Sequence, residues 1–468
     1  MGATAVAAAP PAAAHPLGNF TVNRYSGIDL APGSVRITYV VDMAEIPTYQ
    51  ETANIDTNGD GTITDAERQA WADRTAPTLL SSQQLLVDGS ALRLQVETAT
   101  MTFRSGQAGL PILRLVVELR GSIAGRTGRV DYRDANYPGR IGWKEITARA
   151  EPGLALVGSS VPTMSVSDTL LAYPVNMLAS PLDVTSATFS FGPGTGTAGS
   201  SARGEAKTVS GAPIASGGSF AGLVSWRLTP LILVGSLVLA FGFGAVHALG
   251  PGHGKTITAA YLVGSGARRA QATVIGVAVS LMHTASVLTL GLVFLVLARS
   301  FPPERVYPWL EVATGLVALG LGAYLVIVRV RARRRGDDPW HGHTHAPSGD
   351  HEHPHDHDHD HDHARPVTPR SLAALAVAGG ILPSPTAFVV LLGAVRAHRI
   401  AYGLGLILAF SVGLATALVL VGVFAIRARS TVVERFRGRW ASLIPVASAA
   451  VIVGFGVFFV TRGTTRIL

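Results

Sequence analysis

Cysteine is absent from all 468 residues. That excludes a disulfide framework and any thiolate site, so a bound metal must be held by nitrogen and oxygen. Charge is scarce as well: 15% of residues carry it, against 48% that are hydrophobic. Long uncharged runs in the C-terminal half make that half too apolar for a soluble enzyme. The net charge of +8 sits mostly in arginine clusters between those runs. It therefore reports membrane topology rather than nucleic-acid binding. A complete phosphate loop is missing too. Gly254-Lys255-Thr256 has the right ending, but Leu249 stands where the pattern needs glycine, and an apolar helix precedes it instead of a buried strand. The nucleotide reading is rejected and an ATP-driven pump disfavoured, with a separate ATPase partner left open.

What is present centres on His247-Ala-Leu-Gly-Pro-Gly-His253-Gly-Lys255-Thr256, where the apolar run from Leu228 breaks. Proline lacks a backbone donor and two glycines weaken a helix, so a smooth helix through Gly250-Pro251-Gly252 is unfavourable. Unwound backbone at membrane depth is tolerated only inside protein or beside a wet cavity. His247 and His253 flank that break, and His283 lies in the next apolar run. Intramembrane histidines read as a pathway or binding site, and neutral imidazole suits nickel, cobalt, copper and zinc. A plain kink, with histidines bonding neighbouring helices, is the competing reading.

Residues 1–14 are alanine-rich and end in Ala12-Ala13-Ala14, which fits a signal-peptidase site, although a basic start and an apolar core are lacking. They read as a signal remnant, with a disordered terminus as the alternative. Cleavage there would make His15 the new N-terminus, whose amine and imidazole could chelate a metal. From Phe20 to about Phe191, alternating runs such as Val35–Val41, Ala91–Glu97 and Leu113–Leu119 read as half-buried antiparallel strands. Residues 15–191 are expected to form an extracytoplasmic, β-sandwich-like domain.

Within it, residues 56–67 match a twelve-residue EF-hand loop. Asp56, Asn58 and Asp60 would supply side-chain oxygens, Thr62 a carbonyl, and Glu67 a bidentate carboxylate, with Gly61 at the turn. A structural calcium ion is the expectation, and an acidic surface turn the alternative. A helix follows the loop, from Ala66 to about Asp73. The segment before it is short and holds Pro47, which argues against a full helix-loop-helix.

Residues 192–220, rich in Gly, Ser, Ala and Thr, read as a flexible linker. The remainder, 221–468, holds six apolar segments: Leu228–Leu249, Ala272–Ala298, Trp309–Val328, Leu372–Val395, Ala401–Ile426 and Leu443–Val460. Each is long enough to span ~30 Å of hydrocarbon. Thr256–Val263 is too short to span and reads as a half-helix completing the broken site. Arg268 and Arg269, the Arg329–Arg335 cluster and the Arg427–Arg439 cluster fall in alternate loops, which places them in the cytoplasm and the N-terminal domain outside. Glu311 sits near the outer end of the third segment and reads as facing water.

The cytoplasmic loop 336–370 carries His341, His343, His345, His351, His353, His355, His357, His359, His361 and His363, interleaved with aspartates. Such a tract cannot bury a core and offers many interchangeable sites for nickel, cobalt or zinc, against the alternatives of an inert loop or a pH-sensitive tether. In the second segment, Ser280, His283 and Thr284 share one helical face, suited to lining a pathway. Ser411 is a further lining candidate. The fourth segment breaks at Gly379-Gly380-Ile-Leu-Pro383-Ser384-Pro385, so broken segments occupy matching places in two three-helix halves, as in an inverted-repeat carrier.

These residues resemble the bacterial nickel/cobalt transporter (NicO-type) family. The likeness rests on the His247–Thr256 motif, Ser280…His283-Thr284, Gly380–Ala387, Phe410–Ala415 and a histidine-rich third loop, and covers about residues 228–460. The start His15-Pro-Leu-Gly-Asn-Phe20 also resembles an extension on some actinobacterial members. The resemblance implies that His247, His253 and His283 carry metal. Many exporters of the family have an acidic residue where Gly250 stands, a departure that bears on which metal binds. The expected activity is secondary transport of nickel or cobalt across the cytoplasmic membrane, outward in preference to inward. Its partners would be metal ions and the bilayer, without nucleic acid, and a homo-oligomer is compatible with it. A nickel uptake permease, a non-metal exporter of the wider superfamily and a metal sensor are the alternatives; no enzymatic role is expected.

Overall fold

The computed structural model describes residues 15–178, 180–196, 208–209, 223–225, 229–249, 257–258, 260–262, 269–297, 303–334, 369–435 and 444–467. The chain divides into two compact units. One holds Met1–Arg227 with Phe294–Glu304 and Val389–Gly403, and the other holds the rest.

The first unit is built on two five-stranded sheets. β1 (Val22–Ala31), β2 (Ser34–Met43), β5 (Gln95–Ser105), β6 (Pro111–Ser122) and β8 (Lys144–Ala150) form one, in the order β5-β6-β2-β1-β8. The other runs β4-β3-β7-β11-β9, from β3 (Gln83–Val87), β4 (Ser90–Ala91), β7 (Gly128–Asp134), β9 (Ala155–Val157) and β11 (Ser186–Gly192). The expected alternation is visible in β6, where Leu113, Leu115, Val117 and Leu119 are all buried. These join Ile37 and Tyr39 of the first sheet and Val130, Tyr132 and Phe189 of the second in one apolar core. Buried polar groups also tie the sheets together. The Ser26 and Tyr132 hydroxyls lie 3.0 Å apart, and Arg24 pairs with Asp134 at 3.2 Å.

Two features depart from the expected antiparallel domain. β1 pairs with β8 in parallel, because the chain crosses to the second sheet and returns before laying β8 down. The short strands β10 (Tyr173–Pro174) and β12 (Thr208–Val209) also pair, so part of the stretch expected to be linker joins a small sheet.

The segment before the acidic loop is a helix after all: α1 spans Glu45–Ile55 and α2 spans Asp65–Ser81. Pro47 lies in the first turn of α1, where a missing N–H costs no intrahelical bond. The Thr64 hydroxyl accepts from the Glu67 amide while the Glu67 carboxylate accepts from the Thr64 amide, a complete capping box. Trp71, Ala72, Ala76 and Leu79 bury one face of α2 in the core.

The second unit is helical. Its elements are α3 (Pro230–Leu249), α4 (Arg269–Val296), α5 (Pro303–Arg334), α6 (Pro369–Gly380), α7 (Pro385–Arg396), α8 (Ile400–Arg435) and α9 (Ile444–Ile467), with the ends of several falling in the first unit. Among the described residues five are long and apolar enough to cross a membrane, or six if α6 and α7, bent by 70° at their break, count as one. The bend follows from Pro383 and Pro385, since the residue before a proline is pushed out of the helical region. Ile257, Thr258 and 260–262 are helical, and all but Ala260 are buried, in the stretch expected to be a half-helix. Large apolar side chains face outwards along the helices, including Leu231, Val238, Leu292 and Phe424. That is the surface a bilayer, rather than water, solvates.

Candidate functional site

Each candidate side chain of the helical unit sits where its helix period puts it. On α4, Ser280, His283 and Thr284 are buried while Leu281 and Ala285 are exposed, so the polar face expected from their spacing does turn inward. His247 lies in the last turn of α3. The His247 and His283 rings approach to 5.9 Å between centroids, from two different helices. Phe410 of α8 packs against both, at 5.5 Å from His247 and 6.4 Å from His283. Two imidazoles are thus gathered beside an aromatic wall. Sequence reasoning had placed Phe410 in a motif without giving it a role.

Beside the histidines lies a chain of hydroxyls. Ser280 donates to the Ser411 carbonyl at 2.6 Å, and the Thr284 and Ser411 hydroxyls lie 2.5 Å apart. Each of those two also reaches the carbonyl four residues back on its own helix, Ser280 for Thr284 and Ile407 for Ser411. Neither hydroxyl has two protons, so one of them gives up part of its own-helix bond to serve the other. The structure thus brings together five of the six expected pathway residues: His247, His283, Ser280, Thr284 and Ser411. The sixth, His253, lies outside the described residues, as does the histidine-rich loop.

Two glycines set the spacing. A Cβ at Gly244 of α3 would run into the Phe410 carbonyl and the Leu414 amide nitrogen. A Cβ at Gly380 of α6 would meet the Val279 carbonyl and the His283 amide nitrogen in the same way. Phe410 directly precedes Ser411, and Val279 directly precedes Ser280. The first and fourth expected spans therefore present one glycine each to the same local feature of the fifth and second. This is a likeness in packing that the sequences themselves hardly show.

Other expectations fare differently. In the acidic loop, the carboxylate oxygens serve its own backbone. Asp56 accepts from the amides of Gly59 and Gly61, Asp60 from Thr62, and Glu67 from Thr57 and Thr64. The amide of Asn58 donates to Asp60 rather than presenting its oxygen alongside it. Bonding to the Thr64 amide and hydroxyl holds the Glu67 carboxyl below the usual range. Among the described residues no group of three or more His, Asp or Glu side chains is gathered to hold a metal, so the calcium expectation finds no support in the geometry.

His15 is 1% exposed, its Nε2 lying 2.9 Å from Asp42 and its Nδ1 accepting from the Leu17 amide at 3.3 Å. That imidazole is used within the domain rather than offered to a metal. Glu311, read as facing water, is 5% exposed.

A helical unit with several membrane-length apolar helices, paired histidines and lined hydroxyls defines the class: a polytopic membrane protein. Residues 233–371 match the family model described as high-affinity nickel-transport protein. The chain is 32% identical over 250 residues to the nickel/cobalt efflux system RcnA of Shigella sonnei, covering 48% of this chain and 91% of that protein. It is 31% identical to the protein of the same name from Escherichia coli over a stretch of the same coverage. A putative nickel/cobalt efflux system of Methanocaldococcus jannaschii is 26% identical over 225 residues, 92% of its length. No solved structure matches. The chain belongs to the NicO-type nickel/cobalt transporter family.

Proposed function

We propose that this chain is a secondary carrier that moves nickel and cobalt out across the cytoplasmic membrane. The observation that carries the reading is the approach of His247 and His283 to 5.9 Å between ring centroids, from two separate helices. Imidazole nitrogen is a good ligand for these ions, and a site shared between helices changes shape when the helices move. His253, six residues beyond His247, would complete the donor set at the broken span. The outward direction rests on the names of the relatives, which are called efflux systems.

In this mechanism the ion sheds water to enter between the imidazoles. The Ser280, Thr284 and Ser411 hydroxyls offer oxygen along the path. Phe410 closes one side, which limits water and strengthens each ligand contact. Release follows when α3 and α4 shift relative to each other and separate the two imidazoles. The histidine-rich loop, on the cytoplasmic side by the arginine distribution, would collect ions before transport. The N-terminal domain would then lie outside.

The test is metal content in cells exposed to nickel or cobalt while expressing wild type, His247→Ala or His283→Ala. Wild type should lower accumulation, and either substitution should restore the level of cells lacking the protein. Higher accumulation with wild type would mean uptake. Content independent of both histidines would sink the metal-carrier reading and favour a non-metal exporter.

A further inference from the structure

Glu311 is the one acidic residue in the six apolar segments of this sequence. It lies on α5, 5% exposed, with its Oε1 3.8 Å from Nε of Arg462 on α9. A buried carboxylate in a membrane helix is costly and marks function by default, but the packing around it makes the case stronger.

The α5–α9 contact is self-complementary. A Cβ at Gly315 would meet the Gly456 carbonyl and, at 2.7 Å, the Val460 amide nitrogen. A Cβ at Gly456 would meet the Gly315 carbonyl and the Leu319 amide nitrogen. Gly322 approaches Val453 as Gly463 approaches Val312. One constant spacing relates all four pairs: Val312 to Val453, Gly315 to Gly456, Leu319 to Val460, and Gly322 to Gly463. Exchanging the helices by that spacing carries Glu311 onto Ile452 and Arg462 onto Leu321. Both are buried apolar residues, at 0% and 7% exposure.

The same backbone contact is therefore satisfied by hydrocarbon at one end and holds an ion pair at the other. Packing does not require the acid. Two further polar groups sit on the same face of α5 as Glu311 by helical spacing. Tyr307 donates to the Pro383 carbonyl, at the bend between α6 and α7. Thr314 is fully buried, and its hydroxyl has no hydrogen-bond partner among the described residues.

We propose that Glu311 is the proton-binding group that couples the carrier to the transmembrane proton gradient. The inference rests on the carrier reading above and adds the coupling ion to it. Without its proton, the carboxylate is balanced by the Arg462 guanidinium. With the proton it is neutral, and Arg462, 38% exposed, keeps its charge at the edge of the unit. Arg462 is the charged group that α9 brings to it. From the α6–α7 bend, the uncharged Pro383 carbonyl reaches this face through Tyr307. Proton uptake thus changes the α5–α9 contact at one end alone.

The test uses the full chain, purified in detergent and reacted with dicyclohexylcarbodiimide, which modifies protonated carboxyls in apolar surroundings. The adduct is located by peptide mass spectrometry. Labelling at Glu311 should rise as pH falls and should be suppressed by nickel.

In proteoliposomes, Glu311→Gln should keep nickel–nickel exchange but lose at least ~10-fold of the acceleration that a pH gradient gives, about 1.4 kcal/mol of coupling. No label at any pH, or undiminished acceleration in Glu311→Gln, overturns the proposal. Failure of the carrier reading looks different: wild type would then show no metal flux in the same vesicles, while the label and its pH dependence would persist and still support proton binding at Glu311.

Discussion

At the scale of single residues, Asp42 shows how much of this chain's polar chemistry is spent on folding. Burial pushes its carboxyl up, but the His15 hydrogen bond and charge, with Arg104 and Arg114, outweigh that and hold it below the ordinary aspartate value. Arg104 donates to it at 2.6 Å. Because the folded group gives up its proton more readily than the unfolded one, the stabilisation is present at neutral pH. It is lost as pH falls below about 4 towards the folded value. Thermal melts of wild type should therefore fall on acidification through that range, while Asp42→Asn should start lower and respond less. Leaving His15 and Arg104 facing a neutral amide should cost about 3–5 kcal/mol. The opposite displacement holds Glu45 above the usual range, mainly through burial, although the Gln107 amide bonds it. None of this was legible in the sequence, because His15 and Asp42 meet only after the strands have paired.

At the scale of elements, periodicity was a good guide where one face of a segment is buried and a poor one where backbone contacts decide. The polar face of α4 and the burial pattern of β6 follow from spacing alone. α1 was missed because Pro47 argues against a helix only when it lies beyond the first turn. The capping box at α2 is what the acidic loop demonstrably supplies. Thr64→Ala should cost about 1 kcal/mol, read as a lowered melting point of the N-terminal domain. A far larger loss, or a calcium-dependent one, would show that the loop does more than begin a helix.

The close approaches at Gly244 and Gly380 leave no room for a side chain against backbone. Gly244→Leu should force α3 away from α8 and separate Phe410 from His247. Nickel transport should fall with it, even though no histidine has changed. Expression and size-exclusion profiles would tell this apart from simple misfolding. The likeness of those two glycines lies in what they touch, and for that reason eye alignment of the first and fourth segments barely finds it.

At the scale of the whole molecule, the boundary between a β-rich part and a helical part was visible from the change of period alone. The family match agrees with it, since similarity covers about half of this chain but nine-tenths of its relatives. The family model's match, residues 233–371, lies outside the β-rich part. Deleting His341–His363 should leave transport intact at high nickel and weaken it several-fold at low nickel, measured as cellular metal content over a concentration series. An effect as complete as that of His283→Ala would instead put the loop on the transport path itself.

The self-matching contact between α5 and α9 has one more consequence. A joint that looks the same from either end gives the hydrocarbon no preference for leaning one way or the other. Such a joint behaves like a balance with equal arms, at rest near its tipping point. A single exchangeable charge, placed on one arm only, is then enough of a weight to tilt it.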